Sequence, residues 1–107
     1  MRKPVETATR VCPVEVATAV LGGAWKLTIV KHLLEKPYRY GQLCRALPLA
    51  PPRSLTRQLR ELEEDGIVRR EVYAEVPPKV EYSLTPLGDS LAPIVDQINA
   101  WGKSYPQ

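Results

Sequence analysis

Several signatures that mark common protein classes are absent from this 107-residue chain. No apolar run approaches the roughly 20 residues that a membrane-spanning helix requires. The N-terminal stretch MRKPVETATR lacks the apolar segment of a secretion signal, so we expect a cytoplasmic protein with no membrane partner. Internal repeats, low-complexity tracts and flexible linkers are also missing. The length therefore predicts one domain, residues 1–107, with one core.

Catalytic and metal-binding motifs are missing as well. The chain has no glycine-rich phosphate loop, no HExxH motif and no GxSxG motif. Its single histidine, His32, and its two distant cysteines, Cys12 and Cys44, make no recognisable zinc site. We interpret His32 as a surface residue and Cys44, beside two leucines, as a packing residue. The sequence thus predicts no enzyme, no metal site and no cofactor.

What the chain does contain is a local excess of positive charge. The formal net charge is only +3, but the segment 36–60 has six basic residues and no acidic one. These residues are Lys36, Arg39, Arg45, Arg53, Arg57 and Arg60. A positive field of this kind within a nearly balanced protein indicates a surface for a polyanion.

The apolar periodicity and the turn residues predict a mostly α-helical chain with a small β-hairpin, an α+β fold. We expect a loose arm at 1–10, two helices within 11–35, a short strand or extended link at 38–40, and two helices within 41–66 around a proline-rich turn. A hairpin with a five-residue loop follows at 67–84, and a last helix at 86–105 should kink at Pro93. This order is the plan of a winged helix-turn-helix.

The stretch RSLTRQLRELEEDG, residues 53–66, has its charges in an unusual order. Three arginines precede four acidic residues, although the helix dipole favours the opposite arrangement. On a helical wheel, its leucines form one apolar stripe and its arginines point directly away from that stripe. A DNA-recognition helix requires this layout. The alternative is a solvated face with two i,i+4 ion pairs, Arg57–Glu61 and Arg60–Glu64.

The recognition-helix interpretation assigns a role to each exposed side chain. Arg53, Ser54, Arg57 and Gln58 are predicted to read bases or adjacent phosphates, and Arg60 to contact the backbone. In the hairpin, Arg69 and Arg70 at the base and Lys79 at the tip of a stiff Pro77-Pro78 loop are the predicted contacts of a wing. The alternative is that the prolines are only structural, and Glu75 opposes Lys79. Exposed aromatic side chains for stacking RNA bases are missing from the helix, which favours DNA.

Several segments resemble the HxlR-type winged helix-turn-helix transcriptional regulators. They are CPVEVATAVLGGAWKLTIVKHLLE, QLCRAL, LTRQLRELEEDGIVRREVYAEVPPKVEYSLTPLG and the closing W-G, which together span residues 12–102. The resemblance implies a homodimeric DNA-binding regulator that reads a palindromic operator with the helix at 52–65 and with the wing. One departure is Pro51, where family members often have a Ser or Thr as the helix N-cap.

The resemblance also implies that the first and last helices form the dimer contact. The last helix supports this with a near-heptad apolar stripe that so small a domain need not cover. The predicted interface consists of Val14, Leu91, Ile94, Ile98, Trp101 and Tyr105. The alternative is that the stripe closes the protein's own core.

Two further residues have more than one interpretation. Cys12 precedes the first helix, where unpaired N–H groups and the positive end of the dipole favour a thiolate. In the resembling family, some members use a cysteine here to sense oxidants or electrophiles, so Cys12 is a candidate redox sensor; the alternative is a small buried residue in the dimer seam. Lys26, beside Trp25, is predicted to extend along the indole ring, with a phosphate contact or a buried ion pair as alternatives.

Two functions from different classes follow from these observations. The first is a DNA-binding transcriptional regulator, with double-stranded DNA and a second copy of the chain as partners and with room for a small-molecule or oxidant effector. The second is a winged-helix protein-interaction module without specific DNA binding, because the fold permits both.

Overall fold

The computed structural model describes residues 1–107 as seven helices and one three-stranded sheet. The helices are α1 (Lys3–Ala8), α2 (Pro13–Leu21), α3 (Lys26–Leu33), α4 (Tyr40–Ala46), α5 (Pro52–Glu64), α6 (Pro86–Asp89) and α7 (Ala92–Ser104). The strands are β1 (Tyr38–Arg39), β2 (Val68–Tyr73) and β3 (Lys79–Leu84). The predicted winged helix-turn-helix is confirmed, with α4 and α5 as the helix-turn-helix.

The N-terminal ten residues are not the loose arm that the sequence predicted. Residues 3–8 form α1, with Pro4 in the first turn, where its missing N–H costs nothing. Val5 and Ala8 are three residues apart, so both lie on one side of α1, and both are buried. Their burial attaches the segment to the body of the protein, which the polar composition of the first ten residues did not reveal.

One hydrophobic core joins the helices to the sheet. Its buried members are Ile29, Val30, Leu33, Leu43, Leu47, Leu55, Leu59, Leu62, Ile67, Val68, Tyr82 and Val95. Each of the elements α3, α4, α5, β2, β3 and α7 contributes at least one of them. The core thereby fixes α5 against α3 on one side and against the hairpin on the other.

The sheet has the order β1-β3-β2 and is antiparallel throughout. The short strand β1 pairs with β3 through Tyr38 opposite Tyr82, while β2 and β3 form the predicted hairpin from Val68 opposite Leu84 outward. The hairpin loop contains residues 74–78, the predicted five. It extends from the core as the wing.

The last helix is interrupted rather than kinked. Thr85 caps α6 by accepting a hydrogen bond from the Gly88 N–H at 3.1 Å, and α6 ends at Asp89. The chain then starts a new helix, α7, with Pro93 in its first turn. Proline lacks the N–H that a continuous helix needs at this position, so the break falls before it.

The helices are also short. No single helix is long and apolar enough to cross a membrane; α2 and α3 reach that length and composition only as a pair, and their axes meet at a bend of 80°.

Candidate DNA-binding surface

Helix α5 presents three distinct sides. It begins at Pro52, with Pro51 in extended conformation as the preceding cap residue, so the two prolines do not displace the predicted start. Leu55, Leu59 and Leu62 are fully buried and dock the helix on the core. The remaining two sides are an exposed basic side and a polar side that faces the N-terminal half of the chain.

The basic side carries Arg53, Arg57 and Arg60, all of which are exposed. None of the three lies within 4.0 Å of a carboxylate, so the predicted alternative of two i,i+4 ion pairs is not formed. The arginines border an open groove of about 530 Å³, which is lined by Tyr40, Pro52, Arg53, Thr56, Arg57 and Arg60. Three unpaired guanidinium groups on one groove are suited to phosphate and guanine.

Two polar residues of this groove were missed in the sequence. Thr56 lies among the arginines, and its Oγ1 is 3.0 Å from the Tyr40 Oη at the start of α4. The Tyr40 hydroxyl also lies 3.3 Å from the carbonyl oxygen of Pro52. Tyr40 thereby ties the first helix of the helix-turn-helix to the first turn of the second. The helical wheel could have identified Thr56, since it falls beside Arg60 at one turn's spacing.

Gln58 was predicted to read bases, and this prediction is wrong. Its side chain is 3% exposed, and its Oε1 accepts a hydrogen bond from the Trp25 N–H at 2.8 Å. The first turn of α3 covers this part of α5, and a side chain at Gly23 would place its Cβ only 2.9 Å from the same oxygen. Gln58 therefore satisfies an otherwise unpaired N–H at a helix start. Ser54, half-buried, stays a candidate.

Lys26 forms the buried ion pair that the sequence left as an alternative. The residue is fully buried, and its Nζ lies 2.8 Å from the Glu61 Oε1. The Lys26 ammonium, together with the more distant charges of Arg2 and Arg57, holds the pKa of the Glu61 carboxyl below its usual range against the opposing effect of burial. Lys26 is thus not available to a phosphate.

The two wing arginines point to opposite sides of the hairpin. Arg70 pairs with Tyr82 in the register and lines a polar cleft of about 280 Å³ with Thr56, Arg60, Glu63 and Tyr82. Successive side chains of a strand alternate, so Arg69 lies on the other face, as do Glu71 and Tyr73. Only Arg70 extends the basic side of α5.

Lys79 does not lie at the tip of the wing. It is the first residue of β3, opposite Tyr73, and its Nζ is 3.6 Å from the Glu81 Oε2 and 4.8 Å from the Tyr73 ring centroid. The Tyr73 hydroxyl donates to Glu71 at 2.7 Å, and this bond with the nearby carboxylates raises the pKa of Tyr73 to about 12. The charge of Lys79 is therefore offset by acidic neighbours on its own face.

The predicted dimer residues lie on the surface. Val14, Ile94, Ile98, Trp101 and Tyr105 are exposed and Leu91 is half-buried. The residue of α7 that enters the core is instead Val95. The alternative that the stripe closes the protein's own core is therefore wrong.

Both cysteines are free. Cys12 is the cap residue of α2, is half-exposed, and has its Sγ 3.8 Å from the Glu15 Oε2. Cys12 is therefore not fully buried within a single copy of the chain. Cys44 packs against the core from α4, as predicted.

Comparison with known proteins matches nearly the whole chain. A model of the HxlR-like helix-turn-helix family matches residues 20–107. The chain is 53% identical over 93 residues to the HTH-type transcriptional regulator YybR of Bacillus subtilis (strain 168), which covers 87% of this chain and 74% of YybR. The structure of the redox regulator HypR in its oxidized form superposes with a TM-score of 0.85 at 51% identity, covering 90% of this chain and 99% of HypR. The structure of diamide-treated YodB from B. subtilis superposes with a TM-score of 0.74 at 33% identity, and the match covers 91% of this chain and 97% of YodB.

Proposed function

This chain belongs to the HxlR-like helix-turn-helix family of transcriptional regulators, and from this premise we propose that it binds a palindromic operator as a homodimer. Its relatives are transcriptional regulators rather than enzymes, and this protein is likewise a regulator and not an enzyme. Such a role would place it in the cytoplasm, associated with the nucleoid. Double-stranded DNA and a second copy of the chain are its proposed partners.

The observation that carries the proposal is the unpaired basic side of α5. Arg53 and Arg57, with the half-buried Ser54, are proposed to enter the major groove and contact base edges or adjacent phosphates. Arg60 and Arg70, which share one cleft, are proposed to contact the backbone. Arg69 and Lys79 lie on the far side of the wing and are proposed as weaker backbone contacts.

The exposed stripe of α7 supports the homodimer. Exposed apolar patches that a monomer leaves uncovered mark protein contacts. The interface proposed for them consists of Val14, Leu91, Ile94, Ile98, Trp101 and Tyr105. A two-fold axis through this contact would present two copies of α5 to half-sites about 34–36 Å apart, one turn of B-DNA.

We extend the proposal to a thiol response through Cys12. Its thiol is half-exposed at the start of α2, and the similar proteins include a redox regulator and a diamide-treated protein. Modification of this thiol would alter the helices proposed to form the dimer contact and thereby the spacing of the two recognition helices.

Selection from a random-duplex pool tests these proposals together. Reduced wild-type protein should enrich an inverted repeat, and mild oxidation with diamide should change the enrichment. The Cys12→Ser variant should keep the reduced affinity and lose the response, whereas Cys44→Ser should keep both. A response that persists in Cys12→Ser would refute the sensor role. A pool that enriches no sequence under any condition would instead favour the protein-interaction module.

A further inference from the structure

The polar side of α5 bonds to three residues in the N-terminal quarter of the chain, Arg2 and the adjacent Trp25 and Lys26. Gln58, Glu61 and Asp65 follow one another at spacings of three and four residues, so they share one side of the helix. Gln58 accepts from the Trp25 N–H, Glu61 pairs with Lys26, and Asp65 pairs with Arg2. Two of the four acidic residues at this end, Glu61 and Asp65, therefore bond within the protein, while Glu63, Glu64 and the arginines of α5 stay exposed.

Arg2 makes the most extensive of these contacts. Its backbone N–H donates to the Asp65 Oδ1 at 2.8 Å, its Nε donates to the Asp65 Oδ2 at 2.7 Å, and its Nη2 lies 2.7 Å from the same oxygen. The Nη2 also donates to the carbonyl oxygen of Ala19 in α2 at 2.6 Å, and the Nη1 lies 3.7 Å from Glu61. One side chain thus connects α2 to the last turn of α5.

The burial of these groups makes the connection stiff. The Asp65 side chain is 1% exposed and that of Arg2 is 15% exposed, so water competes little for their hydrogen bonds. The Nε and Nη2 of Arg2 both meet the Asp65 Oδ2, and the Arg2 backbone N–H binds the Oδ1, so several contacts together fix the relative orientation of the two residues. Asp65 is the cap residue of α5, and Gly66 after it has a φ of 77°, where the chain turns toward β2. The contact therefore holds the end of α5 and the start of the wing.

We infer that Arg2 is a positioning residue for DNA binding, which fixes the recognition helix against α2 without contacting the DNA. The inference rests on the proposed function. Asp65 follows Arg53 by 12 residues, or roughly 18 Å of helix, so Arg2 lies at the end of α5 opposite to its proposed groove contacts. Releasing that end lets α5 tilt, and the tips of its arginines then miss their partners. Since α2 begins directly after Cys12, Arg2 also provides a physical connection from that cysteine to α5.

Duplex affinity of Arg2→Ala tests the inference, with Arg10→Ala as the charge-matched control. Arg10 lies in the same N-terminal segment, is exposed, and has no carboxylate within 4.0 Å. Fluorescence anisotropy on the selected operator, at several salt concentrations and corrected for the active fraction, gives Kd and its salt dependence. We expect Arg2→Ala to bind at least about 5-fold more weakly, the lower range of coupling between separate sites. Arg10→Ala should stay within about twofold of the wild type.

The salt dependence separates positioning from direct contact. Losing one phosphate contact lowers the slope of log K against log salt by about 1. Arg2→Ala should leave that slope unchanged, and Asp65→Asn should reproduce its loss of affinity. The double variant should be no weaker than either single variant, because both remove the same connection.

A second variant, which preserves the charge, keeps the inference testable if Arg2→Ala does not fold. Arg2→Lys keeps an ammonium near Asp65 but loses the planar guanidinium whose separate nitrogens contact Asp65, Glu61 and the Ala19 carbonyl oxygen. In the Arg2 variants, amide hydrogen exchange should be faster than in the wild type in the last turns of α5 and unchanged in α4. If Arg2→Ala does not fold, Arg2→Lys serves for the affinity measurement, with a loss expected in the same direction.

Several outcomes would overturn the inference: an unchanged Kd in folded Arg2 variants, a slope lowered by about 1, or additive losses in the double variant. Failure of the proposed function looks different. In that case the wild-type protein itself enriches no duplex, whatever residue stands at position 2.

Discussion

Helices α5 and α7 are both 13 residues long, yet they place their apolar residues in opposite environments. In α5, Leu55, Leu59 and Leu62 are buried completely, and the three arginines are exposed. In α7, Ile94, Ile98 and Trp101 are 47%, 44% and 67% exposed, and a single valine enters the core. One helix offers charge to its surroundings and the other offers apolar surface.

The difference indicates what each helix is able to bind. Apolar surface gains free energy when another protein surface removes it from water, by about 25 cal/mol per Å². Unpaired arginines gain free energy when they bind an anion. The roles proposed for α5 in DNA binding and for α7 in dimer formation thus follow from which residues each helix has already used for the core. Four substitutions test these roles, in order of decreasing effect.

Leu59→Ala, on the buried stripe of α5, should have the largest effect. Removing a fully buried leucine side chain costs about 2–5 kcal/mol of unfolding free energy, through lost burial and the cavity left behind. Leu49→Ala is the matched control, because Leu49 is exposed in the turn before α5. Urea unfolding followed by circular dichroism measures both. Equal losses in the two variants would contradict the buried role of the α5 stripe.

Ile98→Glu, on the exposed stripe of α7, should separate the proposed dimer without unfolding the chain. Two glutamates facing each other in an apolar contact should raise the dimer dissociation constant roughly 30-fold, or about 2 kcal/mol. Ala100→Glu adds the same charge on the far side of α7 and should have no such effect. Sedimentation velocity over a range of concentrations measures the shift. A wild-type protein that stays monomeric throughout would refute the dimer.

Arg57→Ala, on the basic side of α5, should weaken operator binding by about 1–3 kcal/mol and relax the preference at one base pair. The reason is loss of a forked contact to guanine, which carries sequence information. Lys31→Ala, an exposed basic residue on α3, is the control and should bind as the wild type does. Competition against single-base operator variants measures the preference. Equal weakening on every sequence would reassign Arg57 to a phosphate.

Arg70→Ala should have the smallest effect, a loss of roughly threefold at moderate salt that is the same for every sequence. The salt slope should fall by about 1, because the group contacts a phosphate. Arg69→Ala is the adjacent control, and its side chain lies on the other face of the wing. Fluorescence anisotropy at several salt concentrations compares the two. A larger loss in Arg69→Ala would place the DNA on the opposite face.

The element pattern was largely predictable because it depends on local chemistry. Pro52 and Pro86 mark helix starts, and the five-residue loop was delimited by its flanking β-type runs. Prediction from the local sequence failed where contacts with a distant part of the chain determined the structure. The polar residues 1–10 became a helix because the body of the protein buries Val5 and Ala8.

The candidate site was predictable only on the side of α5 that faces away from the protein. The helical wheel correctly separated three arginines from three leucines, but it could not assign the residues between them. Gln58 lies at the border of the stripe, and whether such a residue meets solvent depends on what packs beside it. Here the first turn of α3 packs beside Gln58. The residue that was predicted to read bases instead accepts a hydrogen bond from the Trp25 N–H.

The sequence by itself determined the order of elements, the apolar stripes of α5 and α7, and the basic side of α5, because these follow from periodicity within single segments. The tertiary structure decided how the acidic end of α5 is used. Arg2 and Asp65 are 63 residues apart along the chain, and nothing in either segment specifies the other. Their pairing depends on the tertiary placement of the N-terminal segment, which brings the Arg2 guanidinium out of water beside the Asp65 carboxylate and the Ala19 carbonyl oxygen.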